Sequence, residues 1–256
     1  ESMNEIKQQF QTMMRLFNQA LQGSNVNYTD SQPTDTQPPA NNQDIIIIGG
    51  WYGPAKEDIS NTVEKFNIAE GTSTELPRTN FPRAATASCV YHNDVIVTGG
   101  HDGQDGTDLI EILKTNQNPL RWTLFDGKIP VKLSYHVVVV YQDKIYIIGG
   151  YSRSEKKTSD AIYEISLVPP NTSNLLARMP QLRLTHGAEL VNDKIYIVGG
   201  STTGFSKDAI DSVVVYDFIT NECTPRQPLP KPVSKMSTVA RGNAIIVIGG
   251  ADTNGQ

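Results

Sequence analysis

The sequence predicts an all-β protein, a β-propeller whose four-stranded sheets recur every fifty residues. Three observations carry that prediction. A Gly-Gly pair stands at 49–50, 99–100, 149–150, 199–200 and 249–250. Each pair closes a β-rich run: "DIIIIGG", "DVIVTGG", "KIYIIGG", "KIYIVGG" and "AIIVIGG". Other residues keep the same phase: Arg83 with Arg183, His136 with His186, and Pro130 with Pro180 and Pro230. A sheet that cannot bury both faces alone must stack on copies of itself, and a radial stack also shelters the sheet edges. A linear stack would satisfy burial equally well, but a four-stranded period of this length matches the propeller.

The elements follow in chain order. Residues 1–22 read as an amphipathic helix, with Ile6, Phe10, Met13, Phe17 and Ala20 or Leu21 at intervals of four and three. So short a stripe is expected to pack on its own domain rather than form a coiled coil. Residues 23–43, rich in Asn, Gln, Thr and Pro, read as a flexible linker. The repeats occupy 44–256. Within one period the first strand is an apolar stretch such as "YHVVVVY" or "GAELV", and the second is the run ending in Gly-Gly. After a polar loop come a third strand ("VEKFN", "LIEILK", "IYEIS", "VVVYD") and a fourth running into proline ("STELP", "NLLARMP", "ECTPRQPLP"). The first two strands are apolar almost throughout, which predicts that both of their faces are covered. No first strand precedes Asp44, and only "ADTNGQ" follows Gly250. The expected tally is therefore three strands, three units of four, and a final pair.

Composition excludes several function classes. A net charge of −5 and a pI near 5.4 argue against nucleic acid or an anionic membrane as partner. No apolar run reaches membrane-spanning length, and the start "ESMNEIKQQF" lacks a signal-peptide layout. It begins with Glu1 rather than Met, so upstream sequence is expected. Two cysteines far apart, Cys89 and Cys223, point to a reducing compartment, and a cytoplasmic location is expected.

The search for chemistry returns packing roles. His136 and His186 occupy equivalent positions in successive units, so they are expected to hydrogen-bond backbone rather than bind metal. His92 and His101 have no partner at ligand spacing. The run "HDGQDGTD" (101–108) lacks the spacing and closing Glu of a calcium loop and reads as a solvated turn. The glycine pairs end strands without opening a helix, which disfavours a phosphate cradle. No cofactor, no metal and no catalytic residue is expected. The loops after the glycines differ between units, and loops on a rigid scaffold carry function. They offer aromatic and basic anchors: Trp51, Tyr52, Tyr151, Arg153, Phe205 and Lys207. The loops from the fourth strand to the next first strand reach the same face and add Arg78, Arg83 and Arg183. The glycines themselves (Gly49, Gly50, Gly99, Gly100, Gly149, Gly150, Gly199, Gly200, Gly249, Gly250) read as structural, serving where chains crowd.

The unit from "LRLTHGAELVNDKIYIVGG" (182–200) to "VVVYDF" (213–218) resembles the kelch repeat, with Arg183, His186, Gly199, Gly200, Tyr216 and Asp217 in place. The family's Tyr position is filled by Phe66, Leu113, Ile165 and Tyr216, and only Trp122 stands near its Trp position, displaced by the loop "NQNPL". Elsewhere that position falls near Ser73, Asn171–Leu175 and Cys223, which predicts less area buried between blades and lower stability. The resemblance implies a propeller of six blades, of which this chain holds part, with a C-terminal strand completing the first blade. It also implies a protein-binding module. The expected roles are the substrate-recognising part of a cullin-type ubiquitin-ligase adaptor, then actin or cytoskeletal binding, with a sugar-processing enzyme as a more distant alternative. In such receptors arginines at the positions of Arg83 and Arg183 bind acidic peptide motifs. The helix at 1–22 would then end an upstream oligomerising domain, with homodimerisation through either.

Overall fold

In the computed structural model, residues 44–53 and 58–255 are described. The expectations for 1–22 and 23–43 therefore lie outside the described residues. Among those residues the chain is built of antiparallel strands. The first sheet holds β1 (Asp44–Trp51), β2 (Ile59–Asn67) and β3 (Thr72–Leu76). Three four-stranded sheets follow. The second sheet has β4 (Ala87–Tyr91), β5 (Asp94–Thr98), β6 (Ile110–Leu113) and β7 (Trp122–Leu124). The third has β8 (Val137–Tyr141), β9 (Lys144–Ile148), β12 (Ala161–Ser166) and β13 (Ser173–Arg178). Its loop carries a small ribbon, β10 (Tyr151–Ser152) with β11 (Lys157–Thr158), which the sequence pattern did not announce. The fourth sheet has β14 (Gly187–Val191), β15 (Lys194–Val198), β16 (Val213–Asp217) and β17 (Glu222–Arg226), and β18 (Ser237–Arg241) pairs with β19 (Ala244–Ile248).

Each sheet is a meander, so neighbours in sequence are neighbours in space. Successive sheets meet along their first strands, β4 beside β8, β8 beside β14, and β14 beside β18. The sheets stack face to face, and the apolar core lies between them in three clusters. Val63 with Val95, Val97, Leu113 and Trp122 joins the first pair of sheets. Ile96, Ile112, Val138, Ile145, Ile147 and Ile165 join the second pair, and Tyr146, Ile148, Ile162, Ile195, Val214 and Tyr216 the third. Each such side chain taken fully out of water contributes about 1.5–3 kcal/mol.

The two apolar strands of a unit are not equivalent. The Gly-Gly strands β5 and β9 are buried at four of their five positions, as expected. The first strands are only partly covered, with β4 and β18 alternating between half-buried and exposed positions. The expectation that both strands are covered on both faces is therefore corrected for β4 and β18. β8 and β14, which have a neighbouring first strand on each side, show no exposed position, whereas β4 and β18 meet such a neighbour on one side.

A belt of backbone hydrogen bonds runs along these inner edges. Tyr135 N donates to Ala85 O at 2.9 Å, Thr185 N to Tyr135 O at 3.1 Å, and Lys235 N to Thr185 O at 2.9 Å. All four residues have left-handed backbone, with φ between 52° and 58°. Non-glycine residues adopt that region at a cost, offset here by a bond from each sheet to the next.

Candidate functional site: the loop face

In a four-stranded meander, the end of strand two, the start of strand three and the end of strand four lie at one edge, with the start of strand one. All Gly-Gly loops and all inter-sheet connections therefore share a face. The glycines set its geometry. Gly99 and Gly149 have φ near 55° and 59°. A Cβ on Gly99 would stand 2.5 Å from Leu133 O and 2.7 Å from His136 Cε1, and one on Gly149 would stand 2.5 Å from Arg183 O and 2.8 Å from His186 Cε1. Only glycine satisfies both the turn and the close approach. The residue after each pair bridges back to the connection before its sheet: His101 to Ala84, Tyr151 to Ser134, Ser201 to Leu184.

Beneath these loops sit two buried arginines. Arg83 and Arg183 are 1% and 0% exposed. Arg83 Nη1 donates to Gly99 O at 3.0 Å, and Nη2 is paired with Glu111, whose other oxygen accepts from Asn80 N (2.8 Å) and Nδ2 (2.6 Å). Arg183 Nη1 donates to Gly199 O at 3.1 Å and Nη2 to Ser212 Oγ at 3.0 Å. It has no carboxylate, because the ladder position opposite Ile197 is Val214, whereas the one opposite Val97 is Glu111. Burial lowers both guanidinium pKa values, Arg183 to about 10. The expectation that Arg83 and Arg183 contact a partner is thus corrected: they are consumed by the glycine carbonyls and do not reach the surface.

The histidines under the glycines also differ from expectation. His136 Nε2 meets Thr98 Oγ1, a side chain rather than backbone, at 2.8 Å. His186 has no hydrogen-bond partner at either nitrogen. Fifty residues after Thr98 stands Ile148, which offers no hydroxyl. Desolvation holds both imidazoles neutral, His136 at about 4 and His186 well below its ordinary value. In the next repeat Met236 takes the histidine's place, its methyl 2.6 Å from where a Cβ on Gly199 would sit. These histidines fill space.

The other anchors stand where the solvent is. Trp51, Tyr52 and Phe205 are 53%, 65% and 66% exposed. Arg78 and Lys207 are exposed as well, with Lys207 Nζ 5.8 Å from the Phe205 ring centre. Tyr151 is half-buried, its backbone paired to Thr158 in the β10–β11 ribbon. Arg153 is half-buried, with an Nε that has no partner.

Sequence reasoning missed a cleft at one end of this face. It encloses about 730 Å³ and is lined by Ile59, Phe81, Pro82 and Leu109, with His101, Asp102, Asp105 and Lys132 at its wall and rim. Loop 101–108 forms one side: Asp102 Oδ1 accepts from Gln104 N and Asp105 N, both at 2.9 Å, and Lys132 Nζ holds Asp105 at 2.7 Å. The solvated-turn reading holds for its backbone. Among the described residues, no group of three or more His, Cys, Asp or Glu could hold a metal ion. No helix among them is long and apolar enough to cross a membrane. Both cysteines are free thiols, and burial raises Cys89 to about 12 and Cys223 to about 11.

Comparison with known proteins places this architecture. A family model described as KLHDC2/KLHL20/DRC7 Kelch-repeats domain matches residues 39–250. Alpha-scruin of Limulus polyphemus is 31% identical over 163 residues, 61% of this chain and 17% of that protein. Kelch domain-containing protein 10 of Homo sapiens is 28% identical over 154 residues, 55% of this chain and 34% of that protein. The chain thus aligns with about a third or less of these curated relatives. Among solved structures, one titled "Structure of YjhT" superposes with a TM-score of 0.71 at 17% identity, covering 85% of this chain and 77% of that one. That likeness concerns the fold, which is all-β and propeller-like.

Proposed function

The chain belongs to the kelch-repeat family, and from that premise we propose that it is a non-catalytic protein-binding module whose contact surface is the loop face. One observation carries the reading. The residues that repeat from sheet to sheet are turned inward to glycines, buried arginines and buried histidines, while the residues that differ expose large aromatics, Trp51, Tyr52, Phe81 and Phe205, along one edge. Exposed aromatic side chains on a rigid frame are typical interface anchors. In its finer form, the module is the substrate-recognising part of a cullin-type ubiquitin-ligase adaptor in the cytoplasm, where two unreactive free thiols are at home. Pull-down of the full-length protein with purified cullin tests that form, and retention of cullin is expected. Co-sedimentation with actin filaments and no cullin retention would assign the face to the cytoskeleton instead.

A further inference from the structure

Residues 105, 155 and 205 stand at one phase of the fifty-residue repeat, in the loops that follow the glycine pairs. In the second and third sheets the residue is a carboxylate whose charge is met within the chain. Asp105 is paired with Lys132 Nζ at 2.7 Å, and Glu155 with Lys157 Nζ at 3.2 Å. In the fourth sheet it is Phe205, yet the lysine two residues on is kept, Lys207 standing in phase with Lys157. Lys207 therefore lacks the acid that its counterpart has. It is exposed and forms no salt bridge among the described residues, and its Nζ lies 5.8 Å from the centre of the Phe205 ring. A ring face attracts an ammonium without neutralising it.

The loop that presents this pair is tied to itself. Ser201, fully buried, accepts at Oγ from Gly204 N and donates to Phe205 O, both at 2.9 Å. Asp208 N donates to Phe205 O at 3.1 Å, and Thr202 N to Asp208 O at 3.2 Å. The loop's one carboxylate, Asp208, accepts from Thr203 Oγ1 at 2.5 Å and is not paired with Lys207. On this bonded backbone the Phe205 side chain is 66% exposed. A side chain held out on an ordered loop binds with little further loss of backbone freedom. A phenyl ring gains most from a concave apolar site, and an unneutralised lysine beside it from a carboxylate. The chain's net charge of −5 disfavours an anionic lipid surface, the other place where a ring and an ammonium are held together.

We propose that Phe205 and Lys207 form the projecting anchor of this module. A folded protein partner takes the Phe205 ring into an apolar pocket and meets Lys207 with an aspartate or glutamate at the pocket's rim. The proposal rests on the loop face being the partner-binding face. It gives this chain the knob and the partner the pocket.

The test places p-benzoylphenylalanine at position 205 of the full-length protein, crosslinks it in cells and maps the joined residue by mass spectrometry. A crosslink inside an apolar pocket of another protein, with Asp or Glu at the rim, is expected. A crosslink to lipid, to this chain itself or to a surface without such a pocket overturns the proposal, as does no crosslink. With that partner purified, Phe205→Ala should weaken binding by more than about tenfold, as loss of a central aromatic anchor does. Lys207→Ala should weaken it about two- to fivefold, the range open to exposed charge pairs, and high salt should remove that difference. Phe205→Glu restores the acid and lysine of the third sheet's loop, so the urea midpoint should hold while binding falls at least as far as in Phe205→Ala. Equal affinity of Phe205→Glu and the unmodified protein overturns the proposal. Should the Phe205 variants bind normally while Trp51→Ala or Tyr52→Ala weakens binding, the loop-face reading stands without this anchor; should none of them matter, both fall.

Discussion

At the residue scale, three buried histidines, His101, His136 and His186, and two buried arginines bear on the response to acid and to mutation. The unfolded chain protonates histidine below pH about 6.5, whereas His136 in the folded chain does so only near pH 4. Between those values the unfolded state binds more protons, so stability falls as pH drops through the window. For His136 the loss is on the order of 3 kcal/mol by pH 4. The repeat supplies the control substitution, because Met236 occupies the equivalent site. His136→Met is expected to flatten the fall in urea midpoint between pH 6.5 and 4. An unchanged slope would show that the acid response lies elsewhere. The arginines make a paired prediction. Glu111→Gln leaves the Arg83 charge buried without its partner and should cost about 3–5 kcal/mol in denaturant unfolding. Ser212→Ala removes only a neutral acceptor from Arg183, which keeps its carbonyl bonds, and should cost about 1 kcal/mol.

At the scale of elements, the glycine pairs and the strand-three to strand-four hairpins carry the repeat. Gly150 has φ 97°, and a Cβ there would stand 2.8 Å from His136 Cβ and 2.9 Å from Ser134 O. Gly150→Ala should cost more than about 2 kcal/mol, combining backbone strain with overpacking. Gly71, at φ 66° in a turn with nothing near its Cβ, should cost about 1–2 kcal/mol from strain alone. Comparing the two urea midpoints separates crowding from conformation. The hairpins correct the reading of Trp122. It is paired with Leu113 as Ser73 is with Phe66, Ser173 with Ile165, and Cys223 with Tyr216. Trp122 is in register, and the extra residues of "NQNPL" are absorbed in the turn. Its Nε1 donates to Pro77 O at 2.8 Å, linking two sheets. Trp122→Phe keeps the buried ring and removes that bond, so a loss of about 1 kcal/mol is expected by thermal or urea unfolding.

At the scale of the whole molecule, a stack of sheets separates stability from recognition. The core lies between sheets, and the inter-sheet connections of the loop face reach it through residues beneath the surface, Phe125, Ile129, Val131, Leu133 and Met179. Trp51→Ala and Phe205→Ala together should therefore reduce partner capture, read by calorimetry, while the unfolding midpoint changes by less than about 1 kcal/mol. A large loss of stability would mean these aromatics serve the fold. The repeat itself was legible, because a strand that ends where two chains crowd must end on glycine, and a constraint imposed at every sheet recurs at a fixed interval. The fate of the arginines was not. Arg is most often exposed, and nothing in the run around Arg83 announces that Glu111 and the Gly99 carbonyl enclose it. His101 was set aside for want of a partner at close spacing, yet its cleft is assembled from β2, from the connection holding Phe81 and Pro82, and from Lys132 in the connection after.

By itself, then, the sequence determined the main strands of each unit, their repeat and the face on which the variable loops gather. Those follow from local backbone demands and from the alternation of apolar and polar runs, which any copy of the unit must meet alone. Only the tertiary structure decided which cations are consumed in the interior and which buried donors are left without a partner among the described residues. The stacking of sheets brings residues tens of positions apart within hydrogen-bond reach, and whether a carboxylate or a valine stands opposite a buried arginine depends on ladder register rather than on the arginine's neighbours in the chain.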